Sequence, residues 1–146
     1  MPDTNAELGY SATFGIAISP STTHVVVAEV ASITPPGMTR DTVEATHLNS
    51  PDAFKEFIAG LKEGGEASIT VNYVPAASDT LVTAFDAGRI SAQITFPAIG
   101  TAPEVTLTFT AIVTAWEPGD LVPDDKMSAT FTCKCSGRPV FAVSGA

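Results

Sequence analysis

Two histidines, two cysteines and a group of aspartates are the residues here that could do chemistry. His24 opens a strand-like stretch and His47 sits in a long polar excursion. Neither has a cysteine nearby, nor a patterned Ser or Asp partner of the kind nucleophilic catalysis needs. Cys133 and Cys135 are two residues apart in a β-type stretch. Side chains at that spacing share a face but are strung along the chain, a poor geometry for a disulfide. The pair reads as two small core residues. Asp120, Asp124 and Asp125 could offer oxygen ligands to a divalent cation, but their spacing lacks the EF-hand pattern, and a hydrated acidic turn accounts for them. Gly60 and Gly64-Gly65 read as caps at an element end, not as a phosphate cradle. No HExxH, GxSxG, Walker A or GxGxxG pattern occurs. No catalytic residue, metal site or cofactor is expected, and the chain reads as no enzyme.

Composition points the same way. The 146 residues carry seven Lys+Arg against sixteen Asp+Glu, a formal charge of −9. Phosphate backbones repel such a chain, which argues against a tight binder of DNA or RNA and against an anionic membrane surface. No apolar run reaches the ~18 residues of a spanning helix. The stretch MPDTNAEL has acids and no apolar core, so it reads as a flexible arm over residues 1–12 rather than a signal peptide. Charged residues make up only 16% of the chain. A typical soluble domain has about 25%, so much of this surface is not meant for bulk water.

The elements that must position any site are mostly strands, in one domain spanning 1–146. Thr13–Ser19 and His24–Ile33 are rich in β-branched residues and flank a turn at Ser19–Thr23. Thr34-Pro35-Pro36-Gly37 ends the second strand, because proline cannot donate to a ladder. A long polar excursion then runs to Asn49, with a short strand indicated near Thr42–Ala45. Beyond it, Ser50 suits a helix N-cap and Pro51 a first helical position. Phe54, Phe57, Ile58 and Leu61 fall at i, i+3, i+4 and i+7, which predicts a core-facing helix ending at Gly64-Gly65. A second, short helix is predicted over Ser78–Ala87, with Leu81, Val82 and Phe85 inward. Glu66–Tyr73, Arg89–Phe96, Glu104–Trp116 and Lys126–Cys135 alternate apolar and polar residues, the period of a half-buried strand. Trp116 reads as a packing anchor, and SGRP (136–139) as a turn into a short tail. The fold expected is mainly β (α+β), an antiparallel β-sandwich or barrel with one flanking α-helix.

The polar faces of these strands are unusual. Glu104–Trp116 offers Thr106, Thr108, Thr110 and Thr114, and Lys126–Cys135 has lysines only at its ends. One reading is plain β propensity in a low-charge chain. The other reading is that these faces touch other copies or line a shielded channel, since low-charge strands are an aggregation hazard in a free monomer.

Several segments, in their order and spacing, resemble the major tail tube proteins of long-tailed, non-contractile bacteriophages of the lambda-like type. They are the PPG step, the THLNSPD…FIAGLK…GGE stretch, FDAGRISAQITFPAIG, VTAWEPG and the closing DDKMSATFTCKCSGRPVF. The resemblance runs from about Glu29 to Phe141. It implies a structural, self-assembling subunit made in the bacterial cytoplasm and placed in the virion tail. Hexameric rings stack into a hollow tube there, and DNA passes through without specific binding. Partners implied are the chain itself and other tail proteins (tape measure, terminator, tip), with no membrane. The ring-stacking loop maps to Thr34–Asn49, with Thr34, Pro35, Pro36, Gly37, Met38, Thr39, Arg40 and His47 as contacts, and a second contact maps to the arm at 1–12. An acidic bore would draw on Glu29, Asp41, Glu44, Glu104, Asp124 and Asp125. A related ring protein, such as a tail terminator or a contractile-system tube subunit, could share the fold. A small ligand-binding β-domain for host adhesion is a third reading.

Overall fold

The computed structural model describes residues 9–27, 29–75, 80–98 and 103–143. Most of the predicted arm and the first two residues of the predicted second helix, Ser78 and Asp79, lie outside them. The alternating segments all form strands. These are β1 (Thr13–Ala17), β2 (Val25–Val26), β3 (Val30–Thr34), β6 (Glu66–Asn72), β7 (Arg89–Thr95), β8 (Val105–Pro118) and β9 (Ser128–Val143). They pair in one antiparallel sheet of order β2-β1-β7-β8-β9-β6-β3. The sheet curls until β1 and β3 approach each other. Register breaks between Thr108 and Thr110 and between Val113 and Ala115 in β8 supply local bends.

The concave face holds the core. Phe14, Ile16, Ile69, Ile90, Ile94, Leu107, Phe109, Phe131 and Cys133 are buried there, and Phe14 packs on Phe131 at 6.3 Å between ring centroids. These are the apolar positions that the period of two selects. Cys133 and Cys135 are free thiols in this core. Burial pushes the Cys133 thiol up to about 12 and raises that of Cys135. Trp116 packs on Tyr73 at 5.2 Å. Helix α1 (Thr80–Ala87) closes one end with Leu81 and Ala84 inward. Of its three predicted inward residues Leu81 is buried, Val82 is half-buried and Phe85, 44% exposed, is misplaced.

Four other expectations are overturned. The stretch His24–Ile33 is two strands, because Glu29 takes a left-handed φ of 55° and turns the chain between β2 and β3. SGRP does not end the last strand. Gly137 takes φ 88°, and β9 runs on through it to Val143. The excursion after Thr34 is not one long loop: the short strand expected near Thr42–Ala45 is present but starts earlier, as β4 (Met38–Glu44). The predicted core helix is not a helix. Only a 3-10 turn forms at Pro51–Ala53, and Phe57–Gly64 is strand β5, paired antiparallel with β4 as a separate two-stranded hairpin. Asp52 and Ala53 take left-handed φ of 54° and 58°, so a helix started at Ser50 cannot propagate. Gly60 and Gly64 also weaken a helix by about 1 kcal/mol each, and the β4 strand offers the backbone a competing partner.

Candidate assembly surface

The β4–β5 hairpin projects from the sheet, and no residue of β4 is buried. Phe54, Phe57, Ile58 and Leu61, expected in the core, are 73%, 55%, 57% and 85% exposed. Val43 lies opposite Ile58, and Phe57 opposite Glu44, so apolar side chains occupy both faces. An isolated hairpin is marginally stable in water at best, and exposed apolar groups of this density mark contact surfaces.

Both ends of the hairpin are tied down. At the tip, the His47 and Ser50 backbones and side chains lock together. His47 N–H donates to Ser50 Oγ at 3.0 Å, Ser50 N–H to the His47 carbonyl at 3.0 Å, and Asn49 N–H to His47 Nδ1 at 3.2 Å. Ser50 Oγ donates to Glu56 Oε2 at 2.7 Å, and His47 Nε2 lies 3.2 Å from the same oxygen. Ala45 N–H donates to the Glu56 carbonyl and Glu56 N–H to Thr46 Oγ1. The network holds Leu48 and Phe54 out in solvent.

At the root, Gly65 N–H donates to the Gly37 carbonyl at 2.7 Å and Cys135 N–H to the Gly65 carbonyl at 2.9 Å, which stitches the hairpin to β9. A Cβ on Gly64 would lie 2.6 Å from Cys135 Sγ, so only glycine fits this crossing. Lys134 Nζ donates to Glu63 Oε1 at 2.6 Å. That hydrogen bond and charge hold the Glu63 carboxyl below its ordinary range and raise Lys134.

The predicted ring-stacking residues fall into three places. Thr34, Pro35, Pro36 and Gly37 form the approach to the root, where Pro36 is buried; Met38, Thr39 and Arg40 lie in β4; His47 is in the tip network. The predicted lumen acids are not brought together. Glu29 is at the β2–β3 corner, Asp41 and Glu44 are in β4, Glu104 precedes β8, and Asp124 and Asp125 are in the β8–β9 turn. Among the described residues no three of His, Cys, Asp or Glu are grouped to hold a metal. His24 Nε2 lies 3.0 Å from Ser91 Oγ, and burial lowers its pKa. Sequence reasoning missed Leu48 and the Glu63–Lys134 tie. The like-charged pair of Arg40 and Lys62, opposite each other in register, could have been found only once the hairpin was recognised.

No curated protein matches the chain in sequence. Solved structures of similar shape come from several particles. A chain in the tail of an empty gene transfer agent particle, refined with C6 symmetry, is 17% identical with a TM-score of 0.72, covering 94% of this chain and 100% of that one. A chain in the anti-feeding prophage baseplate is 11% identical with a TM-score of 0.73, covering 99% and 100%. The SPP1 tail tube is 11% identical with a TM-score of 0.58, covering 91% and 76%. At such identities the likeness is one of fold, and it confirms the mainly β, tail-tube-like architecture. The family model for the lambda phage tail tube protein is more specific and matches residues 9–142. The chain therefore belongs to the lambda phage tail tube protein family and is a structural subunit of a virion tail.

Proposed function

We propose that the chain forms hexameric rings that stack into a hollow tube, and that the tube is the conduit for DNA ejection. One observation carries the reading: a hairpin with apolar side chains exposed on both faces and hydrogen bonds locking its tip and root. A rigid apolar projection is suited to docking on a copy in the next ring, with Val43, Leu48, Phe54, Phe57, Ile58 and Leu61 as its contacts. The approach at Thr34–Gly37, strand residues Met38, Thr39 and Arg40, and His47 at the tip belong to the same contact. The arm at 1–12 supplies a second one. The bore carries net negative charge, drawn from the six acids named above, because the chain has few bases to offset sixteen acids. Such a bore repels phosphates and lets DNA slide. Tape measure, terminator and tip proteins are the further partners this role requires. No enzymatic activity belongs to it.

Electron microscopy of the purified protein tests the reading. Long hollow filaments are expected from the wild type. With residues 46–55 replaced by a two-residue turn, folded subunits that no longer stack are expected. Isolated rings from the wild type would point to a terminator, and persistent monomers to a ligand-binding module.

A further inference from the structure

Where the hairpin root meets the Gly137–Pro139 bend of β9 lies a groove of about 410 Å³. Met38, Gly64, Cys135 and Pro139 form its apolar part, and Lys62 and Arg138 add two cations. Glu63 also lines it, but Lys134 already holds that carboxylate at 2.6 Å. Arg40 lies directly opposite Lys62 in register and shares the strand face of Met38. Like charges facing each other across a hairpin repel. No described acid forms an ion pair with Arg40, Lys62 or Arg138. Two of the seven bases of an acidic chain thus line an apolar floor without an ion-pair partner among the described residues, and a third, Arg40, is the cross-strand neighbour of one of them.

The complement is elsewhere in the same chain. The turn between β8 and β9 reads Gly119-Asp120-Leu121-Val122-Pro123-Asp124-Asp125-Lys126, three acids against one base. Leu121 and Val122, between Asp120 and Asp124, are 77% and 48% exposed. An apolar pair flanked by carboxylates fits an apolar floor flanked by cations. The turn cannot reach its own groove. It enters β9 at Ser128 and the groove begins at Cys135, roughly 23 Å away at about 3.3 Å per extended residue.

We infer that the β8–β9 turn of one copy docks in the Lys62–Arg138 groove of a second copy, with Leu121 and Val122 on the floor and the aspartates on Arg40, Lys62 and Arg138. This rests on the self-association proposed above and names a pair of surfaces for it. Because the two patches differ, the contact is head-to-tail, the kind that closes into a ring or extends into a filament. It removes Asp124 and Asp125 from the lumen candidates and leaves Glu29, Asp41, Glu44 and Glu104.

Charge exchange tests it. Lys62→Glu with Arg138→Glu makes a reversed groove, and Asp124→Lys with Asp125→Lys a reversed turn. Each is expected to raise the protein concentration needed for assembly at least ~10-fold while leaving the melting temperature unchanged, because all four positions are at the surface. Mixing the two variants restores assembly, since each reversed surface then meets its complement, and so does one chain carrying all four changes. A reversed pair that assembles like wild type, or a four-fold variant without rescue, overturns the inference. So does a groove reversal that blocks assembly while the turn reversal does not, because the occupant is then another segment. As a measurement free of mutation, wild-type assembly weakens as salt rises from ~0.05 to ~0.5 M; indifference to salt also overturns it. Wild-type protein that stays monomeric throughout sinks the self-association reading itself, whereas wild-type filaments indifferent to charge reversal sink only the groove.

Discussion

The curled sheet and the β4–β5 hairpin are both antiparallel β-structure, yet they use their apolar residues in opposite ways. In the sheet, Phe14, Phe109 and Phe131 are buried against one another's strands. In the hairpin, Phe54, Phe57, Ile58 and Leu61 face water. The sheet folds because its own strands cover its apolar face. The hairpin keeps its shape through backbone pairing, the tip network and the root stitches to β9, and leaves its apolar surface for something else. The lesson is that an apolar stripe marks a surface to be buried, but not whether the chain buries it alone.

Truncating one aromatic in each region gives the sharpest contrast. Phe131→Ala should cost about 3–5 kcal/mol, as emptying a buried aromatic site does. Phe57→Ala should stay within about 0.5 kcal/mol of wild type in denaturant melts while weakening assembly. Equal losses from the two would erase the distinction between core and hairpin.

A smaller effect is expected where the regions meet. Gly64→Ala places a methyl group 2.6 Å from Cys135 Sγ and 2.9 Å from its Cβ. The strand root or β9 must shift, at about 1–3 kcal/mol. An unchanged melt with unchanged amide protection at Gly65 and Cys135 would show that the root is not a tight crossing.

The smallest effect concerns His24 at the sheet's edge. Burial lowers its pKa, so the folded state binds a proton less readily than the unfolded one. Its contribution is therefore present above the unfolded value near 6.5 and is lost as pH falls below it. His24→Gln should flatten the pH dependence of stability just below pH 6.5. An identical slope in the two proteins would assign the acid sensitivity to other groups.

Most of the sheet was legible because burial on one face imposes a period of two. Residues 90, 92 and 94, or 107, 109, 111 and 113, announce their facing without any knowledge of partners. The hairpin was misread for a related reason. Phe54, Phe57, Ile58 and Leu61 satisfy the helical period, and Ser50-Pro51 supplies a start signal, but the residues face no core and their spacing obeys no packing constraint within the chain. Left-handed Asp52 and Ala53 carry no glycine to announce the break. The thiols were legible as core residues from alternation alone. The groove cations were not, because Lys62 and Arg138 are distant in sequence and meet only through the β9 bend.

The sheet's two margins bear on timing rather than on stability. One margin, β2, is two residues long, and the other, β3, has a register break between Val30 and Ser32 and runs into Pro35-Pro36. Neither presents a long, regular row of free backbone donors and acceptors. A subunit built this way can accumulate to high concentration in a crowded cell without zipping indiscriminately onto its neighbours. For the stacked tube proposed above, growth would then depend on a correctly oriented end rather than on free strand margins, so the start of polymerisation, more than the supply of protein, would set when a tail is made.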